Sequence, residues 1–191
     1  MNLGVTKRLE PILRSVRSFI DERILPVDEE FIEEISNGDR WTLNERQTEI
    51  LEGLKKEARE NGLWNFWLTD SALGPGLTTV EYAYIAEETG RSYIAAEVFN
   101  CSAPDTGNME VLERYGTEAQ KKEWLEPLLN GEIRSAYAMS EPSVASSDAT
   151  NISMPANLEN AEWVLNGEKT YISGAGDKRC KILICIYELF Y

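Results

Sequence analysis

The chain has 191 residues, a formal net charge of −14 and 42% hydrophobic residues, enough for one domain of ordinary size or one and a half small ones. The acidic balance disfavours nucleic acid and anionic membrane surfaces as partners, and no apolar run approaches the ~18 residues of a membrane span. Because the chain contains no histidine, Ser-His and Cys-His nucleophilic catalysis and histidine metal sites are excluded.

The first two thirds of the sequence predict helices. Apolar residues recur at three- and four-residue intervals over residues 7–25, which indicates an amphipathic helix that Pro26 disturbs. Capping boxes at residues 42–45 and 78–81 predict the starts of two further helices. Thr117 is expected to cap the helix that precedes the change of pattern described next.

Near residue 133 the hydrophobic pattern changes from a helical to an alternating period. Strands are predicted at residues 135–139, 151–153, 162–165, 168–172 and 181–187. Asn166-Gly167, between two of them, is the dipeptide typical of a type I′ hairpin turn. We therefore predict an α+β protein with a helical domain in residues 1–132 and a β domain in residues 133–191.

Small polar residues follow the first predicted strand, over residues 140–151. Pro142 ends the strand because it has no N–H to donate, and the small side chains after it leave backbone amides and hydroxyls uncovered. Chemistry alone therefore indicates a loop that a polar ligand could approach closely, and a plain linker is the alternative.

Three stretches, in order, resemble the acyl-CoA dehydrogenase family. Tyr-Ala-Met-Ser-Glu-Pro at residues 137–142 is similar to the family's flavin-contacting strand, which ends in Ala-Met-Thr-Glu-Pro. Residues 115–132 match the helix that leads into that strand, and residues 165–175 resemble the next flavin-facing hairpin. The loop is most similar to the long-chain branch that includes members 10 and 11. The resemblance implies an all-helical N-terminal domain followed by an antiparallel β middle domain, here incomplete.

The resemblance implies FAD as the cofactor. Ser140 stands where the family usually has Thr, and its hydroxyl and amide are expected to hydrogen-bond the flavin ring near N5 and along its pyrimidine edge. Tyr171 replaces a Trp and keeps an aromatic face. Ser146 and Ser147 end the loop that meets the flavin phosphate and the substrate; Ser147 is the expected substrate contact, with the exchanged assignment left open. The expected cofactor contacts are Tyr137, Met139, Ser140, Ser146, Tyr171, Ile172 and Ser173.

The resemblance also implies a reaction, the α,β-desaturation of fatty acyl-CoA thioesters in fatty acid β-oxidation, with hydride transfer to flavin N5. Electron-transfer flavoprotein is the implied acceptor, and the full-length protein is expected to be a homo-oligomer. The family places it in mitochondria or peroxisomes, although no clear targeting signal is present. Its catalytic carboxylate lies in a C-terminal helical domain, so we expect no catalytic residue in this chain. The chain is expected to be an inactive fragment, poorly soluble or dependent on a partner.

Two other functions stay open. One is a non-catalytic helical module that pairs with full-length relatives or regulates them, and the other is an enzyme similar to the acyl-CoA oxidases or nitroalkane oxidases, with oxygen as the acceptor. No metal site is expected. The three cysteines lack metal-binding spacing, which favours thiols in a reducing compartment.

Overall fold

The computed structural model describes residues 3–36, 38–39, 41–69 and 73–189. The chain forms two compact units, Met1–Thr106 and Gly107–Tyr191. The α-helices are α1 Leu9–Phe19, α2 Leu25–Ser36, α3 Glu45–Glu60, α4 Thr79–Thr89, α5 Ala95–Val98, α6 Asp105–Tyr115, α7 Glu118–Gln120 and α8 Glu126–Leu129. The strands are β1 Arg134–Ala138, β2 Pro155–Glu159, β3 Glu162–Leu165, β4 Cys180–Cys185 and β5 Glu188–Leu189.

The α+β class is confirmed, with helices up to Leu129 and strands from Arg134 onward among the described residues. The boundary that we expected after residue 132 stays a prediction, because it refers to domains of the family. The compact units instead divide within α6, between Thr106 and Gly107.

Two prolines in the helical part are each preceded by a π-helical turn. Between α1 and α2 the turn spans Ile20–Ile24, and the backbone N–H of Leu25 donates to the Ile20 carbonyl, five residues back. A second turn, Lys121–Leu125, stands in the same place before Pro127. A proline ring collides with the carbonyl four residues back, and the wider turn supplies the needed space. The helix therefore continues through Pro26 rather than ending there.

The amphipathic stripe predicted for the first helix is confirmed. Its buried members are Leu9, Leu13, Val16, Phe19, Ile20 and Ile24. Phe99 is fully buried in the same unit, with its ring 5.6 Å from that of Phe19 and 6.0 Å from that of Phe66 between centroids. These distances are typical of favourable aromatic pairs.

The capping prediction for α4 is confirmed, and that for α3 is wrong by two residues. Thr78 and Glu81 form the predicted reciprocal capping box. At α3 the N-cap is Asn44, which forms its box with Gln47. The hydroxyl of Thr42 donates instead to the Asp39 carboxylate, at 2.9 Å, and so is not available to a helix.

Glu81 also connects the start of α4 to the N-terminal segment. Its carboxylate is buried, pairs with the Arg8 guanidinium and accepts from the Thr6 hydroxyl at 2.6 Å and from the Thr78 N–H at 2.9 Å. The Arg8 hydrogen bond, followed by those of Thr6 and Thr78, lowers the pKa of Glu81 to about 2.

The strands form two small sheets, one parallel and one mixed. β1 and β4 pair in parallel, and β2 lies between an antiparallel β3 and a parallel β5. The antiparallel pair of β2 and β3 agrees with the β domain that the resemblance implies, and two parallel pairs accompany it. The strand predicted at residues 151–153 is wrong: Ala149–Asn151 is a 3-10 turn, capped by the Asp148 side chain.

The β-hairpin is formed by an earlier dipeptide than the predicted one. Asn160 and Ala161 join β2 to β3, with φ angles of 49° and 67°, as a type I′ turn requires. Asn166-Gly167 forms no hairpin, and residues 168–172 contain no strand. Gly167 serves close packing instead, because a Cβ there would lie 2.4 Å from the Met154 Cγ.

No helix within the described ranges is both long and apolar enough to cross a membrane. Nor do the same residues contain a group of three or more His, Cys, Asp or Glu side chains arranged to hold a metal ion. Cys101, Cys180 and Cys185 form no disulfide, which confirms the prediction of thiols.

The hydrogen bonds of Glu81 predict a loss of stability in acid. Because its pKa falls from 4.5 to about 2 on folding, its contribution is fully present above pH 4.5 and is lost as the pH falls through about 2. Glu81→Gln should flatten the dependence of the unfolding midpoint on pH in this window. Urea titrations at a series of pH values measure this.

Glu10→Gln is the matched control, since it removes an exposed carboxylate from the same unit. An equal flattening in both variants would mean that net charge, and not the Arg8 and Thr6 contacts, sets the acid dependence.

The left-handed backbone of Ala161 predicts a stabilising substitution. A Cβ is unfavourable at a φ of 67°, so Ala161→Gly should raise the free energy of unfolding by about 0.5–1 kcal/mol. Ala156→Gly, at a buried position of β2, should lower it. The midpoints of urea unfolding, compared at an unchanged m-value, measure both effects. Equal losses of stability in the two variants would contradict the turn assignment.

Candidate functional site

The predicted ligand loop begins where β1 ends, in the second unit. Along β1 the side chains of Ser135, Ala136 and Ala138 are buried, whereas that of Tyr137 is exposed. Met139 and Ser140, which follow the strand, are both half-buried. The short side chains of the buried residues allow β1 to pack closely, and the larger Tyr137 ring is exposed.

A buried carboxylate, Glu141, follows directly. One of its oxygens accepts from the backbone N–H of Ser153 at 2.9 Å and from the Ser153 hydroxyl at 2.7 Å. The other accepts from the Met154 N–H at 3.0 Å and from the Lys169 ammonium at 2.7 Å. We call Glu141, Ser153, Met154 and Lys169 the Glu141 cluster. The Lys169 hydrogen bond, followed by those of Ser153 and Met154, lowers the pKa of Glu141 to about 2.

Residues 169–170 bind three consecutive residues at the end of β1. The Lys169 ammonium donates to the Met139 carbonyl at 3.0 Å as well as to Glu141. The Thr170 N–H donates to the Ser140 carbonyl at 2.8 Å. The structure thus brings together two of the stretches in which the sequence predicts flavin contacts.

The two hydrogen-bond donors of Ser140 are available to a ligand. Within the described ranges neither its N–H nor its hydroxyl has a hydrogen-bond partner, although its carbonyl is bound. A half-buried donor pair without a partner, on a backbone fixed from both sides, is suited to hydrogen-bond a ligand.

The loop after Pro142 is organised by two side chains. The Ser146 hydroxyl is buried and accepts from the Glu141 N–H at 2.5 Å. Asp148 accepts from the N–H and the hydroxyl of Thr150 at 2.9 and 2.7 Å, and these hydrogen bonds lower the pKa of Asp148. Ser147 is exposed and has no partner in the part of the chain that the structure describes.

Tyr171 has an unusual backbone and an unusual exposure. Its φ is 53°, a region that a bulky residue other than glycine rarely adopts, and its side chain is 95% exposed. Ile172 is half-buried and Ser173 exposed. Strained positions of this kind are concentrated at ligand sites, and the conformation presents a large aromatic face to solvent.

A pocket of about 340 Å³ lies on the Glu141 cluster. It is lined by Glu141, Pro142, Ser143, Ser153, Met154, Pro155, Asn166, Gly167 and Glu168. None of the eight residues predicted to contact cofactor or substrate lines it. Their roles stay predictions; the structure places Ser140 beside the 169–170 segment and gives Ser146 a partner within the protein.

Sequence reasoning missed the roles of Lys169 and Ser153. A usable signal was present, because an acid directly after a buried strand must find a partner if it is buried. Residues 133–191 contain only three lysines, so Lys169 was one of few candidates for that partner.

Comparison with known proteins identifies the family. The model of the acyl-CoA dehydrogenase N-terminal domain matches residues 6–132. The chain is 45% identical over 185 residues to human acyl-CoA dehydrogenase family member 11, covering 95% of this chain and 23% of that protein. Mouse acyl-CoA dehydrogenase family member 10 is 44% identical over 186 residues, covering 95% and 17%.

Solved structures agree with this assignment. One from Mycobacterium abscessus, assigned as an acyl-CoA dehydrogenase, has a TM-score of 0.85 and 46% identity, covering 95% of this chain and 46% of that one. An acyl-CoA dehydrogenase from Bacillus anthracis, solved in complex with FAD, has a TM-score of 0.64 and 26% identity, covering 97% and 30%. The chain spans less than a quarter of the length of the human and mouse relatives named above. From the matching domain model, the curated relatives and the shared fold together, it follows that the chain belongs to the acyl-CoA dehydrogenase family.

Proposed function

We propose that the chain provides part of an FAD site that serves the α,β-desaturation of fatty acyl-CoA thioesters. The proposal rests mainly on the available hydrogen-bond donors of Ser140. Its N–H and hydroxyl lack partners within the described ranges, while Lys169 and Thr170 bind the residues around it. The FAD complex of the Bacillus anthracis relative supports this choice of ligand.

The donors of Ser140 suit a flavin. When bound, FAD would supply the acceptor for the hydride of the substrate β-carbon, a reaction in which negative charge would develop on the flavin ring. Donors fixed toward that ring interact more strongly with the developing charge than with the neutral ring, and so lower the barrier. Because the Ser140 backbone is held before any ligand arrives, little ordering accompanies binding.

Two tyrosines supply aromatic surface for the same ligand. Tyr137 lies three residues before Ser140, and Tyr171 directly follows Thr170, which binds the Ser140 carbonyl. Both rings are exposed, and Tyr171 has a strained backbone. Stacking against a flavin would bury these rings and offset the strain. Met139, Ile172 and Ser173 complete the proposed contacts, with Ser146 at the loop.

Glu141 is not suited to remove the substrate α-proton. Its pKa of about 2 lies far from the near-neutral value that favours a general base, and its carboxylate already accepts four hydrogen bonds. We propose that a carboxylate outside these 191 residues performs this step. Ser147, exposed beside the buried Ser146, is the proposed contact to the acyl-CoA.

The remaining features of the proposal come from the family. Electron-transfer flavoprotein would accept the electrons, the pathway would be fatty acid β-oxidation, and the full-length enzyme would be a homo-oligomer. The net charge of −14 gives the anionic CoA no general attraction, so local amides and hydroxyls such as that of Ser147 would provide the favourable contacts.

A second candidate function is favoured by a different observation. The three-stranded sheet of β3, β2 and β5 exposes several large apolar side chains, among them Leu158 (61%), Trp163 (54%) and Leu165 (46%). Exposed apolar surface of this kind is typical of a protein-binding face. It supports a module that pairs with another polypeptide, and such a module needs no flavin.

Ser140→Ala tests the FAD site. Removing the hydroxyl should weaken FAD binding about tenfold, since one hydrogen bond of about 1–1.5 kcal/mol is lost. Quenching of FAD fluorescence during titration with the chain measures the affinity. Ser143→Ala, at an exposed loop serine outside the predicted contacts, is the control and should bind as the parent chain does. Equal affinities in all three proteins would contradict the assignment of Ser140, and absence of any binding would favour the module.

The assignment of Glu141 predicts the response to substrate. Added to the FAD-bound chain, a fatty acyl-CoA should leave the visible flavin absorbance unbleached under anaerobic conditions, because Glu141 is unsuited as the base and the proposed base lies outside these 191 residues. A flavin that becomes reduced would locate a competent base among these residues and would overturn this part of the proposal.

A further inference from the structure

We infer that Lys169 is a positioning residue of this site: its ammonium binds the Met139 carbonyl and the Glu141 carboxylate, on the two residues that flank Ser140, and so aims the Ser140 donors. The inference rests on the proposed FAD site, but its first consequence concerns the chain without ligand. Lys169 itself is not proposed to touch the cofactor.

The contacts of Lys169 are unusual for a lysine. Its side chain is 9% exposed and that of Glu141 is 4% exposed, whereas lysine and glutamate are almost never buried unless paired. An ammonium has three donors. Two of these are used, on the Met139 carbonyl and on the Glu141 carboxylate, and these two acceptors belong to the residues immediately before and after Ser140.

The other partners of Glu141 extend this arrangement to a third segment. Ser153 and Met154, at the entry to β2, donate three hydrogen bonds to the carboxylate. The end of β1, the entry to β2 and the 169–170 segment therefore meet at one ion pair. Ser140 has no side-chain partner of its own within the described ranges, so its orientation depends on the Thr170 bond to its carbonyl and on the bonds of its neighbours.

The effects of substitutions distinguish an ion pair that only stabilises the fold from one that also positions Ser140. Removing one partner of a buried pair leaves an uncompensated charge and destabilises the fold strongly, whereas neutralising both partners recovers much of that loss. The Met139 carbonyl, however, still lacks its donor when both partners are neutral. Stability and ligand affinity should therefore separate in the double variant.

The experiment compares the parent chain with Lys169→Met, Glu141→Gln/Lys169→Met, Lys169→Arg and the control Lys178→Met. Lys178 is an exposed lysine of the same unit. Its replacement removes one positive charge and should otherwise leave the thermal midpoint, the amide exchange and the FAD affinity as in the parent chain. Thermal midpoints, hydrogen exchange of the Thr170 and Met154 amides, and FAD affinity are measured on each.

Lys169→Met should lower the midpoint, accelerate exchange at both amides and weaken FAD binding at least tenfold. The double variant should recover most of the midpoint but keep the weak FAD binding. Lys169→Arg, which restores a donor and a charge, should recover part of both. The emission of the residual bound flavin should also differ from that of the parent complex, because the hydrogen bonds to the ring have changed.

Two results would overturn the inference while leaving the FAD site intact: parent-like FAD affinity in Lys169→Met, or recovery of affinity together with stability in the double variant. If the parent chain does not bind FAD, the proposed function fails instead. The exchange rates still decide in that case, since parent-like protection of the Thr170 and Met154 amides in Lys169→Met would show that Lys169 does not fix this segment.

Discussion

The arrangement of the second unit depends on one buried anion, the Glu141 carboxylate. A charged group removed from water is tolerated only when hydrogen bonds and an opposite charge replace its hydration. Here four donors from two other segments perform this replacement. Loops that have little apolar surface of their own thereby acquire a defined geometry.

This constraint also separates structural from functional polar groups. Ser146, Ser153 and Lys169 direct their polar atoms inward, to Glu141 or to its neighbours. Within the described ranges the side chains of Ser140 and Tyr171 make no such contacts, and Tyr171 has a strained backbone. Because the first group is bound within the protein and the second is available, this arrangement is consistent with the ligand site proposed beside the Glu141 cluster.

The sequence predicts local features well and pairing between distant segments poorly. The stripe of α1, the Thr78 capping box and the strand before Glu141 depend on residues a few positions apart, and all three are present. The predicted hairpin turn at Asn166-Gly167 was wrong because Asn160-Ala161 forms the turn instead, and Gly167 packs closely against Met154. The Thr42 cap failed for a similar reason, since Asp39 binds its hydroxyl.

For the candidate site, short motifs located the two stretches that meet, whereas their contact at Ser140 follows from no spacing rule. The bond from Thr170 to Ser140 joins residues 30 positions apart, and the burial that makes Lys169 necessary to Glu141 is a property of the folded chain alone.

The π-helical turns before the two prolines carry a consequence for the helix faces. Each turn accommodates one residue more than an α-helical turn does, so side chains beyond it are offset by about 100° from an uninterrupted α-helix. In the first unit this offset determines which face of α2 carries Phe31, a buried residue. A chain shortened by one residue within Ile20–Ile24, with Pro26 replaced so that the bonding could close, would rotate Phe31 away from the core although its composition had hardly changed.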